Sequence, residues 1–147
     1  MKYYDYETFK KDTKFLIDEC KPFEADIVVG IARGGVTLAQ MMAYGLNIRS
    51  LQTLQTELYD KEIKRNEIKI VESLCLEGKK KVLIVDDIVD SGETLFEIIK
   101  YLQLKYPNIT FKTASLFYKP TAKILPDFKV KEATEWIEFF WEVDFLK

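Results

Sequence analysis

The segment VLIVDDIVDSGETL, residues 82–95, limits what this chain can fold into more than any other stretch. Residues 82–85 are apolar without interruption, the pattern of a β-strand covered on both faces, as in a parallel sheet flanked by helices. Three carboxylates follow, Asp86, Asp87 and Asp90, and then Ser91, Gly92, Glu93 and Thr94 lead into a helical pattern over residues 94–104. Residues 90–94 therefore feed a helix N-terminus, where unpaired backbone N–H groups and the positive end of the dipole favour a phosphate. Ser91 and Thr94 add hydroxyl donors, and Gly92 admits close approach to the backbone. Carboxylates beside a phosphate repel it unless they bind something else, so Asp86 and Asp87 are assigned to sugar hydroxyls or a Mg2+ ion. Helix capping accounts for one acidic residue, not three. A diol with a phosphate describes a ribose 5-phosphate.

The rest of the chain alternates in the same manner. Residues 26–31 (DIVVGI) are a second continuous apolar run, and residues 36–44 read as a helix stopped by Gly45. Weaker strands are read over residues 48–55 and 68–76, and a clearer one over residues 110–117, ended by Lys119 and Pro120. Phe9, Thr13, Leu16, Ile17 and Cys20 share one face of a helix over residues 5–20, with Asp5 as its N-cap. Strands alternating with helices predict an α/β fold with a mostly parallel central sheet. With no linker, repeat or low-complexity tract, residues 1–147 are read as one domain.

A second glycine-rich turn, Ala32-Arg33-Gly34-Gly35, also joins a strand to a helix. Its glycines permit close approach, and Arg33 offers a forked cation for pyrophosphate. Both turns fall beyond the carboxyl ends of strands, where open parallel sheets bind their ligands. A substrate with phosphate at one end and pyrophosphate at the other needs two such sites. Residues 57–67 (ELYDKEIKRNE) are almost wholly polar. They form either a mobile loop or a solvated hairpin, and the loop is favoured because such connections commonly carry function.

Composition removes many alternatives. The chain has no histidine, which excludes Ser-His-Asp and Cys-His nucleophile systems, histidine metal ligands and an imidazole base. Proton transfer falls to carboxylates, lysine, tyrosine or the substrate itself. Cys20 and Cys75 stand far apart with no C-x-x-C spacing, and both are expected to be reduced and structural. A net charge of -2 offers no cationic field for nucleic acid or an anionic membrane. No apolar run is long enough to span a bilayer, and a cytoplasmic location is expected. Neither a Walker A loop nor a G-x-G-x-x-G string is present.

Residues 82–95 resemble the sugar-phosphate motif of type I phosphoribosyltransferases: an apolar strand, two acidic residues, and a turn of the form D-[ST]-G-x-T. Within that family the likeness is greatest to bacterial xanthine-guanine enzymes and runs from ARGG to the C-terminal WIEFFW, residues 32–141. The resemblance implies a single-domain phosphoribosyltransferase fold with a mobile loop over residues 57–67 and a base-binding hood over residues 118–147. It implies that Asp90 to Thr94 hold the 5-phosphate of phosphoribosyl pyrophosphate (PRPP), that Asp86 and Asp87 take the ribose hydroxyls and Mg2+, and that Arg33 and Gly34 take the pyrophosphate. Tyr59, Asp60 and Arg65 resemble the loop's tyrosine and its pyrophosphate-binding arginine. The peptide bond before Arg33 is expected to be cis. Lys119 resembles the lysine that meets a purine 6-oxygen, Trp136 the aromatic that stacks on the base, and Ile137 the residue whose backbone reads the ring edge.

The implied activity is purine salvage, the transfer of phosphoribose to guanine, xanthine or hypoxanthine, with Asp90, Arg65 and Arg33 as catalytic candidates. An ammonium only donates hydrogen bonds, so Lys119 suits a 6-oxo group over a 6-amino group. Phe139-Phe140-Trp141 departs from relatives, which carry proline before the final tryptophan, and predicts a differently shaped pocket floor. The family implies a homodimer or homotetramer. Two rivals stand beside this reading: an enzyme for another base, such as adenine or a pyrimidine, and a regulator of the same fold that senses PRPP or nucleotide.

Overall fold

A computed structural model describes residues 1–58 and 68–146. Its elements, in chain order, are β1 (Lys2–Tyr4), α1 (Tyr6–Cys20), β2 (Ile27–Ala32), α2 (Val36–Gly45), β3 (Leu51–Leu58), β4 (Ile68–Val71), β5 (Lys81–Val89), α3 (Glu93–Lys105), β6 (Thr110–Tyr118), β7 (Phe128–Glu132), β8 (Ile137–Phe139) and α4 (Phe140–Val143). The main sheet has the order β4-β3-β2-β5-β6-β7, parallel throughout except for the antiparallel edge strand β4. Strands β1 and β8 form a separate parallel pair.

β5 shows why this sheet is covered on both sides. Leu83 and Val85 project into one core with Phe9 and Leu16 of α1 and Leu38 and Met42 of α2. Val82, Ile84 and Val89 project into another with Leu95, Ile98 and Leu102 of α3. Leu83 and Ile84 are fully buried, which contributes roughly 1.5–3 kcal/mol for each. Asp5 caps α1 as expected, its carboxylate accepting the Thr8 N–H at 2.8 Å.

Several boundaries differ from the sequence reading. β5 runs four residues past Val85, the expected end of the strand, so Asp86 and Asp87 lie within it. The strand expected over residues 48–55 is displaced to Leu51–Leu58, so residues 57 and 58, expected in the loop, lie in β3. The strand expected over residues 68–76 stops at Val71, because Glu72 leaves the ladder to accept hydrogen bonds from the Leu74 N–H and the Tyr101 hydroxyl. Cys20 is buried, and burial pushes its thiol up to about 12; Cys75 is exposed and has no packing role. Among the described residues no helix is long and apolar enough to cross a membrane.

The site is positioned by unequal strand lengths. β5 pairs with β2 only from Ile27↔Val82 to Gly30↔Val85, while its pairing with β6 continues to Val89↔Tyr118. β2 turns away at Arg33, leaving one edge of β5 from Asp86 onward open as the floor of a cleft.

Candidate active site

The cleft begins at the N-terminus of α3. Gly92 caps the helix at φ 82° and ψ 0°, a left-handed conformation natural to glycine. A methyl group there would lie 2.8 Å from the Lys123 nitrogen. Lacking a side chain, Gly92 makes no capping bond, so first-turn N–H groups are left for a ligand. The Ser91 hydroxyl accepts the Glu93 N–H at 3.2 Å and so fixes the turn. Asp86, Asp87, Asp90, Ser91, Gly92 and Thr94 together line a cavity of about 230 Å³. Glu93 does not join them: its carboxylate turns to Lys123 at 3.5 Å, leaving only its backbone near the turn.

The ARGG turn closes the other side. The Ala32–Arg33 peptide is cis, as expected. A Cβ on Gly34 would collide with the Asp87 carboxylate, and one on Gly35 would lie 2.8 Å from the Asp86 Cα, so this turn packs directly on β5. Gly34 also borders a groove of about 840 Å³ lined by Arg33, Thr37, Trp136 and Glu142, among others. The anion cradle and the Arg33 groove therefore meet at Gly34.

Electrostatics make the acidic pair unusual. Burial, and then the neighbouring Asp87 charge, push the Asp86 carboxyl well above the usual carboxylate range. Asp87, 7% exposed, is also raised, chiefly by burial. The hydrogen bond with the Asp86 side chain and the Ile88 N–H, which donates to Asp87 Oδ1 at 2.7 Å, oppose that rise, while the Glu142 charge adds to it. Two adjacent carboxylates driven toward protonation gain from any cation. Among the described residues no third acidic or sulfur ligand joins them in a metal-binding group. Two carboxylates suit Mg2+, which keeps waters and substrate oxygens in its shell, better than a metal that needs an all-protein cage.

A third cavity, of about 290 Å³, opens on the far side of Asp87 and Asp90. Lys119, Trp136, Ile137, Phe139 and Glu142 line it. The Lys119 ammonium is 3.0 Å from Asp90 Oδ1, so two of the residues lining this pocket are paired. Trp136 is 72% exposed and borders both this cavity and the Arg33 groove. Phe139 forms part of the wall and stacks on Trp141 at a centroid distance of 4.7 Å.

The structure thus brings together Arg33, Gly34, Asp86, Asp87, Asp90, Ser91, Gly92, Thr94, Lys119, Trp136 and Ile137 around three adjoining cavities. Tyr59, Asp60 and Arg65 lie outside the described residues. Sequence reasoning missed Glu142, which borders two of the cavities, and Thr56 of β3, which borders the cradle. Neither stands in a motif; Glu142 was findable only as the acidic residue just past the WIEFFW segment.

Residues 6–147 match the phosphoribosyl transferase domain. The xanthine-guanine phosphoribosyltransferase of Cereibacter sphaeroides is 33% identical over 120 residues, covering 79% of this chain and 68% of that protein. Among solved structures, the Helicobacter pylori xanthine-guanine-hypoxanthine phosphoribosyltransferase superposes with a TM-score of 0.91 at 37% identity, over 97% of this chain and 94% of the other. The purine phosphoribosyltransferase of Pyrococcus horikoshii does so with a TM-score of 0.82 at 28% identity, over 96% and 93%.

Proposed function

The chain belongs to the phosphoribosyltransferase family, and from that premise we propose that it transfers 5-phosphoribose from PRPP to a 6-oxopurine, releasing pyrophosphate and a nucleoside monophosphate. The observation that carries this reading is the Asp90–Lys119 pair at 3.0 Å, set between the helix N-terminus and an aromatic-walled cavity. A sugar phosphate on one side and a flat base on the other meet at that pair. The relatives in Cereibacter and Helicobacter are named for 6-oxopurines, which agrees with a donor such as Lys119 at the base.

In this reading the 5-phosphate sits on the N–H groups and hydroxyls of residues 90–94, and Asp86 and Asp87 take the ribose hydroxyls and Mg2+. Arg33 and Gly34 face the pyrophosphate, Trp136 stacks on the base, and the backbone of Ile137 meets the ring edge. A bound Mg2+ would neutralise charge on the diphosphate. The attacking nitrogen forms its bond to C1 of the ribose as the C1–O bond to pyrophosphate breaks, and the electron pair leaves with pyrophosphate. The proton on the attacking nitrogen passes to the Asp90 carboxylate, which Lys119 holds in place. Catalysis is then mainly positioning and charge neutralisation.

The test is pyrophosphate release from PRPP and Mg2+ with guanine, xanthine, hypoxanthine, adenine, uracil and orotate offered separately. Turnover is expected with 6-oxopurines, falling by about 10²–10⁴-fold in Asp90→Asn while PRPP still binds. Turnover with adenine or a pyrimidine instead overturns the base assignment. Binding of PRPP with no base consumed overturns the transferase reading in favour of a nucleotide sensor.

A further inference from the structure

The cavity assigned above to the base has an unusual wall. Ala133, Thr134, Glu135, Trp136 and Ile137 line it consecutively, and most of that stretch is irregular chain between two very short strands. Each strand is paired on one side only, β7 with β6 in a parallel ladder from Ala114↔Phe128 to Tyr118↔Glu132. β7 is a half-exposed sheet edge, and β8 pairs only with the three residues of β1, in the register Lys2↔Ile137, Tyr3↔Glu138 and Tyr4↔Phe139. Within the wall the Ala133 N–H donates to the Tyr118 carbonyl and the Trp136 carbonyl accepts from the Lys2 N–H, both at 2.8 Å, so its shape follows the placement of the strands at its two ends.

Both ends meet one carboxylate. Lys131, in β7 just before the wall, places its ammonium 3.0 Å from Asp12 Oδ2. Tyr4, in β1 and opposite Phe139 in β8, donates its hydroxyl hydrogen to the same Asp12 oxygen at 2.7 Å. Tyr4 is 1% exposed and Asp12 is 5% exposed, and the Tyr4 ring makes edge contacts with Phe9, Phe117 and Phe139. Asp12 itself stands on α1, which packs against α2, β6 and β7.

Asp12 is buried while the Lys131 side chain is 39% exposed, so the ion pair itself adds little net stability, desolvation of the carboxylate and solvent around the ammonium offsetting the attraction. What a buried carboxylate with two directed partners supplies is a fixed geometry. We infer that Asp12 is a positioning residue for base recognition, clamping both ends of the 133–137 wall to α1 through Lys131 and Tyr4. This rests on the assignment of that cavity to the base.

The experiment is a steady-state comparison of wild type with Asp12→Ala, Asp12→Asn, Tyr4→Phe and Lys131→Met, using the base that wild type turns over best. In Asp12→Ala the KM for the base should rise about tenfold or more, since small misplacements of positioning groups have large effects, while the KM for PRPP and kcat at saturation change little. Asp12→Asn, which keeps an acceptor for Tyr4 but loses the charge facing Lys131, should fall between, and the single partner variants should each show part of the effect. Amide hydrogen exchange gives a readout that needs no turnover: residues 133–139 should lose protection in Asp12→Ala while β5 and α3 do not. A variant that melts earlier but keeps the wild-type KM for the base and the same protection over residues 133–139 overturns the clamp, as does a change in both KM values together. If wild type consumes no base, the functional reading fails, and the exchange experiment still decides whether Asp12 orders the wall.

Discussion

Gly34 shows at the level of one residue how closely the site is built. The sequence presents it as a glycine left small for a ligand, yet its nearest neighbour is the Asp87 carboxylate of the next strand. Gly34→Ala should therefore act without touching the substrate, displacing Asp87 and costing about 1–3 kcal/mol of stability through overpacking. PRPP affinity in the presence of Mg2+, followed by titration calorimetry, should weaken in the same variant, while Gly78→Ser, at a glycine with nothing nearby, should leave that affinity unchanged. The cradle residues were legible because they are contiguous: Asp86 to Thr94 supply strand end, turn and helix start in one string. Glu142 and Asp12 were not, since each gains meaning only from residues far along the chain that folding brings beside it.

At the level of elements, α3 declared itself through its apolar periodicity and β5 through its uninterrupted apolar run, whereas β1 and β8 left no such trace. Three residues, as in the Lys-Tyr-Tyr of β1 or the Ile-Glu-Phe of β8, are too few to show a period of two against background, whereas the Phe-Lys-Val-Lys-Glu of β7 does alternate and is the one of these short strands that the sequence could have declared. The early end of β4 was hidden for a different reason, because what stops it is a contact with α3. Glu72 accepts from the Tyr101 hydroxyl at 2.8 Å and from the Lys105 ammonium, tying the strand end to the helix. Burial alone would raise this carboxyl, but Lys105, the Leu74 N–H and Tyr101 together hold it below the usual range. A depressed carboxyl lends stability that is fully present above its unfolded value of about 4.3 and is lost as pH falls through the folded value. Glu72→Gln should accordingly lower the urea midpoint at pH 7, and the gap from wild type should close as the pH is taken below about 4.

For the whole molecule the acidic pair acts in the opposite sense. Asp86 and Asp87 are raised, so the folded state holds their protons more tightly than the unfolded chain does. Their contribution is most favourable below the unfolded value of about 4 and falls as pH rises through the raised folded values. Asp86→Asn should therefore raise the melting temperature of the ligand-free protein at pH 7.5, an advantage that vanishes near pH 4, while removing the extra stabilisation that PRPP with Mg2+ gives to wild type. Thermal melts across pH, with and without Mg2+ and PRPP, measure both effects. The main sheet needs none of this to form, since its cores lie on either side of β5. The β1–β8 pair differs, because it joins residues 2–4 to residues 137–139 across almost the entire described chain. During synthesis on a ribosome β1 is made before every strand of the main sheet and waits for nearly all of them before its partner exists, and loops of that length close late. A nascent chain should thus form the turn at the N-terminus of α3 before the wall of the aromatic cavity, so that the two sides of the cleft mature in sequence.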